Sequence, residues 1–214
     1  MRNDLVIISL AFIVICSFAV GQRDRTGELI NLGWEQIKNE QYDLAIENFD
    51  KAISMNSSSC EAWRGKGYAI NGLGGKDYSD ENYIKATSHF NEAKKCFEKA
   101  IQLNSSDHKA YRDLAWTVNM LNEFETALEL VDKALEISPN DTEAIIVKGS
   151  IRFRESKYRE AAELYHKATE MDPTNPDAWY SYCFVLSNQF TGDPKYSDET
   201  EVACKKSAEL ITGD

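Results

Sequence analysis

Proline is scarce, 4 in 214 residues, and the 11 glycines follow no short period. A collagen-like chain and a Pro/Gly-rich disordered one are both excluded, and with 43% hydrophobic residues the composition fits an ordered, largely helical protein. Basic charge is short as well: 24 Lys and Arg stand against 35 Asp and Glu, a net −11. Binding to a nucleic-acid backbone relies on clustered cations, so no nucleic-acid partner is expected. The five cysteines form no C-x-x-C pair, which leaves no zinc or thioredoxin-like motif. No two of His89, His108 and His166 stand four residues apart, as a metal-binding helix requires. Gly72, Gly74 and Gly75 are read as a turn, and they do not precede Lys-Ser or Lys-Thr as a phosphate loop would. Catalytic residues, metal ligands and cofactors are therefore all expected to be none, and the protein is read as not an enzyme.

Long uncharged runs are also rare, and the one present is N-terminal: LVIISLAFIVICSFAV, from Leu5 to Val20. It is longer than most signal-peptide cores and slightly short for about 30 Å of hydrocarbon. Residues 1–21 are thus read as a signal peptide, cleaved after Ala19 or Gly21, or as a retained N-terminal membrane anchor. Membrane association would run through residues 5–20 if they are kept. The rest of the chain is expected to be membrane-anchored or exported, on the extracytoplasmic side. There Cys183 and Cys204 either pair across the last two helices or remain small buried thiols on helix faces.

What is abundant is repetition. YREAAELYHKA places Tyr158, Ala161, Tyr165 and Ala168 with Pro173 beyond them, and FETALELVDKA places Phe124, Ala127, Val131 and Ala134 with Pro139 beyond them. Ala127 and Ala161 are 34 residues apart. Looser copies run through Tyr42, Ala45, Phe49 and Ala52, and through Phe90, Ala93, Phe97 and Ala100. Upstream of each lies a second helix-like stretch with a small residue, Gly33, Gly67, Ala115 or Gly149, four places after a bulky one, Leu29, Trp63, Tyr111 or Ile145. A helix, a tight turn and a second helix follow, with side chains removed where the two helices would collide.

This pattern resembles the tetratricopeptide repeat, W-x-x-L-G-x-x-Y, then A-x-x-x-F, A and P. Trp63 and Trp179 take the opening Trp, Leu32-Gly33 the Leu-Gly pair, Tyr165 the Phe place, and Pro139 and Pro173 the closing Pro. The resemblance implies an all-α fold, a right-handed superhelical solenoid over residues 26–214. Its repeats span 26–59, 60–107, 108–141, 142–175 and a degenerate 176–214. The second carries an insertion at 75–88, read as about two extra turns on the N-terminal end of its second helix, starting near Ser79. Lys205 and Lys206 suit a final capping helix that faces water.

In the family the first helices of successive pairs line a concave groove that binds extended peptides or partner helices. Carried onto this chain, the groove positions include Trp34, Arg64 and Tyr68, then Arg112, Trp116 and Asn119, then Phe153, then Tyr180 and Phe184, with Lys109 and Glu143 at the rim. Aromatic anchors beside Arg64, Lys109 and Arg112 suit a peptide with apolar side chains and a carboxylate; alternatively these aromatics pack between neighbouring helices under a cover of guanidinium. The expected function is a non-catalytic scaffold for a protein or peptide partner, the other reading being an assembly component of a membrane-associated complex without a groove. The family's two-carboxylate clamp does not transfer, because its places hold Ile30, Trp34, Gly65 and Asp113. Three N-x-S/T sequons, at Asn56, Asn104 and Asn140, are candidate glycosylation sites if the chain is exported.

Overall fold

The structure is a computed structural model that describes residues 25–190 and 192–213. The expected signal or anchor segment, residues 1–21, lies outside them. Described residues are helical apart from turns, with no strand among them. The helices are α1 (residues 25–38), α2 (Tyr42–Met55), α3 (Cys60–Ser79), α4 (Tyr83–Leu103), α5 (His108–Met120), α6 (Phe124–Ile137), α7 (Thr142–Arg154), α8 (Tyr158–Met171), α9 (Pro176–Gln189) and α10 (Ser197–Thr212). The chain divides into two compact units, meeting in sequence between Ser105 and Ser106.

Start signals differ between the two helices of a pair. First helices open on a side chain that accepts from their own first-turn N–H groups: Ser59 from Ala62, Asp107 from Lys109 and Ala110, Asp141 from Ala144, Asn175 from Ala178. The second helices α2, α6 and α8 have no such cap. Their entry, and that of α4, follows a turn in which Glu40, Glu81, Asn122 and Ser156 adopt positive φ, 55°, 60°, 64° and 64°. The next N–H then reaches back five residues: Gln41 to the Gln36 carbonyl at 2.9 Å, Asn82 to Asp77 at 2.8 Å, Glu123 to Val118 at 3.0 Å and Lys157 to Arg152 at 2.9 Å. Each of these first helices thus ends in the same left-handed stop, which sends the chain back antiparallel.

In the N-terminal unit the expected close approach centres on glycine. A Cβ on Gly33 would lie 2.6 Å from the Phe49 ring, and one on Gly65 2.3 Å from the same ring, so Phe49 of α2 is clasped by the first helices before and after it. Gly67 and Gly74 of α3 receive Phe97 and Phe90 of α4. Gly72 receives Tyr42 at 2.3 Å, which corrects the expected turn: Gly72, Gly74 and Gly75 lie within α3. The insertion is also shared differently from expectation. Asn82, not Ser79, caps α4, and the surplus lengthens both helices of the pair, to 20 and 21 residues, where α5 and α6 have 13 and 14. Asp77 explains the extra turns of α3: 3.2 Å from Lys85 and 2.8 Å from His89 Nδ1, it ties the added part of α3 to that of α4.

The C-terminal unit repeats the scheme. Gly149 of α7 meets the ring of Tyr165 of α8, and Ala115, Ala127, Val131, Ala134, Ala161 and Ala168 are wholly buried. Second helices pack on the next first helix through a recurring ion pair, Lys66–Asp50 at 2.7 Å in one unit and Lys148–Asp132 at 2.6 Å in the other. The opening tryptophans also recur: Trp63 and Trp179 donate their indole N–H to the carbonyls of Ser57 and Pro173, each at 3.0 Å, pinning the inter-repeat turns. At the end, Tyr182 donates to Glu199 at 2.9 Å, and Cys183 and Cys204 form a disulfide between α9 and α10.

Candidate partner-binding face

Within the N-terminal unit the expected groove residues come together. Trp34 on α1 is half-buried, edge-on to Phe49 at 5.6 Å and to Tyr68 of α3 at 5.7 Å. Arg64 lays its guanidinium over the Trp34 ring, 4.8 Å from the centroid. Tyr68 keeps 42% of its surface exposed, and with Arg64 forms the wet side of this cluster.

In the C-terminal unit the positions divide. Phe153 of α7 lies 5.6 Å from Phe184 of α9, and Phe184 is stacked on Tyr180 at 6.2 Å. Phe184 and Tyr180 are 41% and 54% exposed, so a strip of aromatic rings runs across adjacent first helices. Trp116 is half-buried and Lys109 exposed on α5.

Two residues expected on this face are engaged within the chain. Asn119 is 1% exposed and donates to Ser150 Oγ at 3.2 Å, so its amide joins α5 to α7 beneath the face. The guanidinium of Arg112 is engaged by carboxylates of its own chain. It is bonded to Asp113 at 3.0 Å, to Asp141 at 3.5 Å and to Glu143, with His108 Nε2 a further 3.6 Å from Asp141. Burial works against this cation, but Asp113, Glu143 and Asp141 more than offset it and raise its pKa. One positive charge is thus surrounded by three negative ones.

Sequence reasoning missed two contributors. Arg154 reaches from α7 to the carbonyl of Asn119 and to Asn122 Oδ1 at 2.8 Å, holding the C-terminal end of α5 and lying over Phe124. An Arg beside the left-handed turn is the signal, but its target Asn122 lies 32 residues away. Asp177, exposed in the first turn of α9, is the second, and there its sequence reads only as a favourable helix start. Of the sequons, Asn56 and Asn140 are exposed and Asn104 is half-buried at the end of α4. The Cys96 thiol is buried in α4 and pushed up to about 11 by that burial.

Models of the tetratricopeptide repeat match residues 29–59, 86–142 and 146–182, more than half of the chain. The chain belongs to the tetratricopeptide repeat family. Among solved structures, TTC0263, a thermophilic tetratricopeptide repeat protein of Thermus thermophilus, is 18% identical with a TM-score of 0.65, covering 74% of this chain and 79% of its own. PilF of Pseudomonas aeruginosa is 15% identical with a TM-score of 0.63, covering 90% and 78%. YrrB, described as having an unusual peptide-binding site, is 23% identical with a TM-score of 0.50, covering 85% and 84%. At these identities the likeness is one of fold. The all-α repeat architecture read from the sequence is the one found, and tetratricopeptide repeats generally serve protein–protein interaction on a non-catalytic scaffold. Among the described residues no helix is long and apolar enough to cross a membrane.

Proposed function

We propose that the protein is a non-catalytic interaction scaffold that holds a peptide or a partner helix on the face formed by its first helices. The observation that carries this reading is the strip Phe153–Phe184–Tyr180, in which Phe184 and Tyr180 are 41% and 54% exposed. Large rings on a rigid helical face offer contact area at small entropic cost, the usual makeup of binding hot spots. The cluster of Tyr68, Trp34 and Arg64 supports the same role for the N-terminal unit. Peptides selected from a displayed random library on the full chain should carry aromatic or large aliphatic anchors. Tyr180→Ala with Phe184→Ala should weaken their capture at least about tenfold, a loss of about 1.4 kcal/mol, while circular dichroism stays helical. Undiminished capture by the folded double variant would reject the face.

The second reading, an assembly component that docks without a groove, is favoured by one feature. At the tip of the lengthened α3–α4 pair, Tyr78 and Tyr83 pack edge-on at 5.2 Å beside Ile84, which is 89% exposed. In that case Ile84→Ser, and not the Tyr180/Phe184 variant, abolishes assembly. For location we propose export or membrane anchoring with the repeats outside the cytoplasm. The apolar run 5–20 supports this, as does the Cys183–Cys204 pair, since disulfides persist in oxidising compartments.

A further inference from the structure

From the C-terminal unit we infer that its aromatic strip takes a basic peptide, one with an aromatic or large aliphatic anchor followed by Lys or Arg; this rests on the face proposed above. A basic peptide is the opposite of the carboxylate-bearing one expected from the sequence, and the ion pairs are the reason. Four cations of α5 and α7 are held by the chain's own acceptors. Arg112 is held by Asp113, Asp141 and Glu143, Arg152 by Glu155 and Glu160, Lys148 by Asp132, and Arg154 by the end of α5. The carboxylates are not balanced in the same way. Glu143 shares Arg112 with two buried aspartates and keeps 62% of its side chain exposed, and Asp177 is exposed at the start of α9. They open the first turns of α7 and α9, the helices that carry Phe153, Tyr180 and Phe184.

An anchor seated on the rings therefore leaves the flanking residues of its peptide over an acidic edge. Lys109, exposed on α5, is an opposing charge, and it stands against Asp177 and the two net negative charges of the Arg112 cluster, Glu143 included. The net −11 of the chain points the same way at longer range. Charges at the rim of an interface act through steering and salt-sensitive attraction, so the preference should show as ionic-strength dependence on top of anchor binding.

The test uses the full chain and three fluorescein-labelled peptides with identical Trp and Leu anchors, flanked by four Lys, four Ser or four Glu. In fluorescence anisotropy at low salt the Lys peptide should bind about tenfold tighter than the Ser peptide, the Glu peptide should be weakest, and the Lys advantage should shrink in about 0.5 M NaCl. Glu143→Gln with Asp177→Asn should bring the affinity of the Lys peptide down toward that of the Ser peptide, and Glu143→Lys with Asp177→Lys should favour the Glu peptide. Equal binding of all three peptides, or a Lys preference that survives both pairs of substitutions, overturns this inference and leaves the anchor face standing. If none of the three binds, or if Tyr180→Ala with Phe184→Ala changes nothing, the anchor face fails and this inference with it.

Discussion

At the scale of single residues, the packing turns on where a side chain has been left out. Phe49 is wholly buried and touches the positions of both Gly33 and Gly65, so its ring has no room to swing away from an added methyl. Gly65→Ala, with its Cβ 2.3 Å from that ring, should cost about 1 to 3 kcal/mol by overpacking. Gly75 lies in the same helix with nothing within 4 Å of a built Cβ, so Gly75→Ala should stabilise by about 0.5 to 1 kcal/mol through helix propensity alone. Urea titration of the two variants checks the pair, and equal shifts in the midpoint would contradict the packing. Gly33 and Gly149 were legible in the sequence because each occupies the small-residue place of its own repeat. Gly65 and Gly72 were not, since they accommodate Phe49 and Tyr42 of the preceding second helix and no pattern within one repeat marks them. Arg112 shows the same blindness in electrostatics. A cation on the expected face reads as a ligand grip until Asp141 and Glu143, 29 and 31 residues downstream in sequence, are seen to hold it.

At the scale of elements, the recurring stop between paired helices carries a built-in cost. Glu40, Glu81, Asn122 and Ser156 all hold positive φ, a region that costs a residue with a Cβ about 1 to 2 kcal/mol and costs glycine little. Ser156 is exposed at φ 64°, and its N–H donates to the Phe153 carbonyl at 2.9 Å, a bond that glycine keeps. Ser156→Gly should therefore raise stability by about 0.5 to 1 kcal/mol, the strain relieved exceeding the extra unfolded-state entropy, and Ser156→Val should lower it. Calorimetry on the two variants reads the sign directly, and a destabilising Ser156→Gly would mean that the turn is held by something other than backbone conformation. The repeat boundaries were legible because capping residues and prolines punctuate them. The division of the insertion between α3 and α4 was not, because Ser79 and Asn82 are both competent caps and the choice falls to the contacts of Asp77 with Lys85 and His89.

At the scale of the whole molecule, the last helix pair is the one that carries a covalent link among the described residues. In the last pair the Lys206–Glu209 ion pair, at 3.3 Å, lies within α10 and does not join it to α9, and α10 leaves Val202 and Ile211 60% and 61% exposed. Its hold on α9 comes from buried Ala203, from the Tyr182–Glu199 hydrogen bond and from the Cys183–Cys204 bridge. The bridge closes a loop 21 residues long in sequence separation, for which chain entropy gives about 3 kcal/mol. In a repeat array each pair borrows part of its core from its neighbour, so loosening the terminal pair propagates inward. Reduction, or Cys183→Ser with Cys204→Ser, should then lower the denaturation midpoint of the C-terminal unit and raise hydrogen exchange first in α10 and α9. The mass of the chain from its native host should be short by about two hydrogens at this pair when it is oxidised, as an oxidising compartment would leave it. Thiols that are both alkylated without prior reduction, in a chain whose stability is indifferent to reductant, would remove the bridge from the stability of this end and one of the two supports for export.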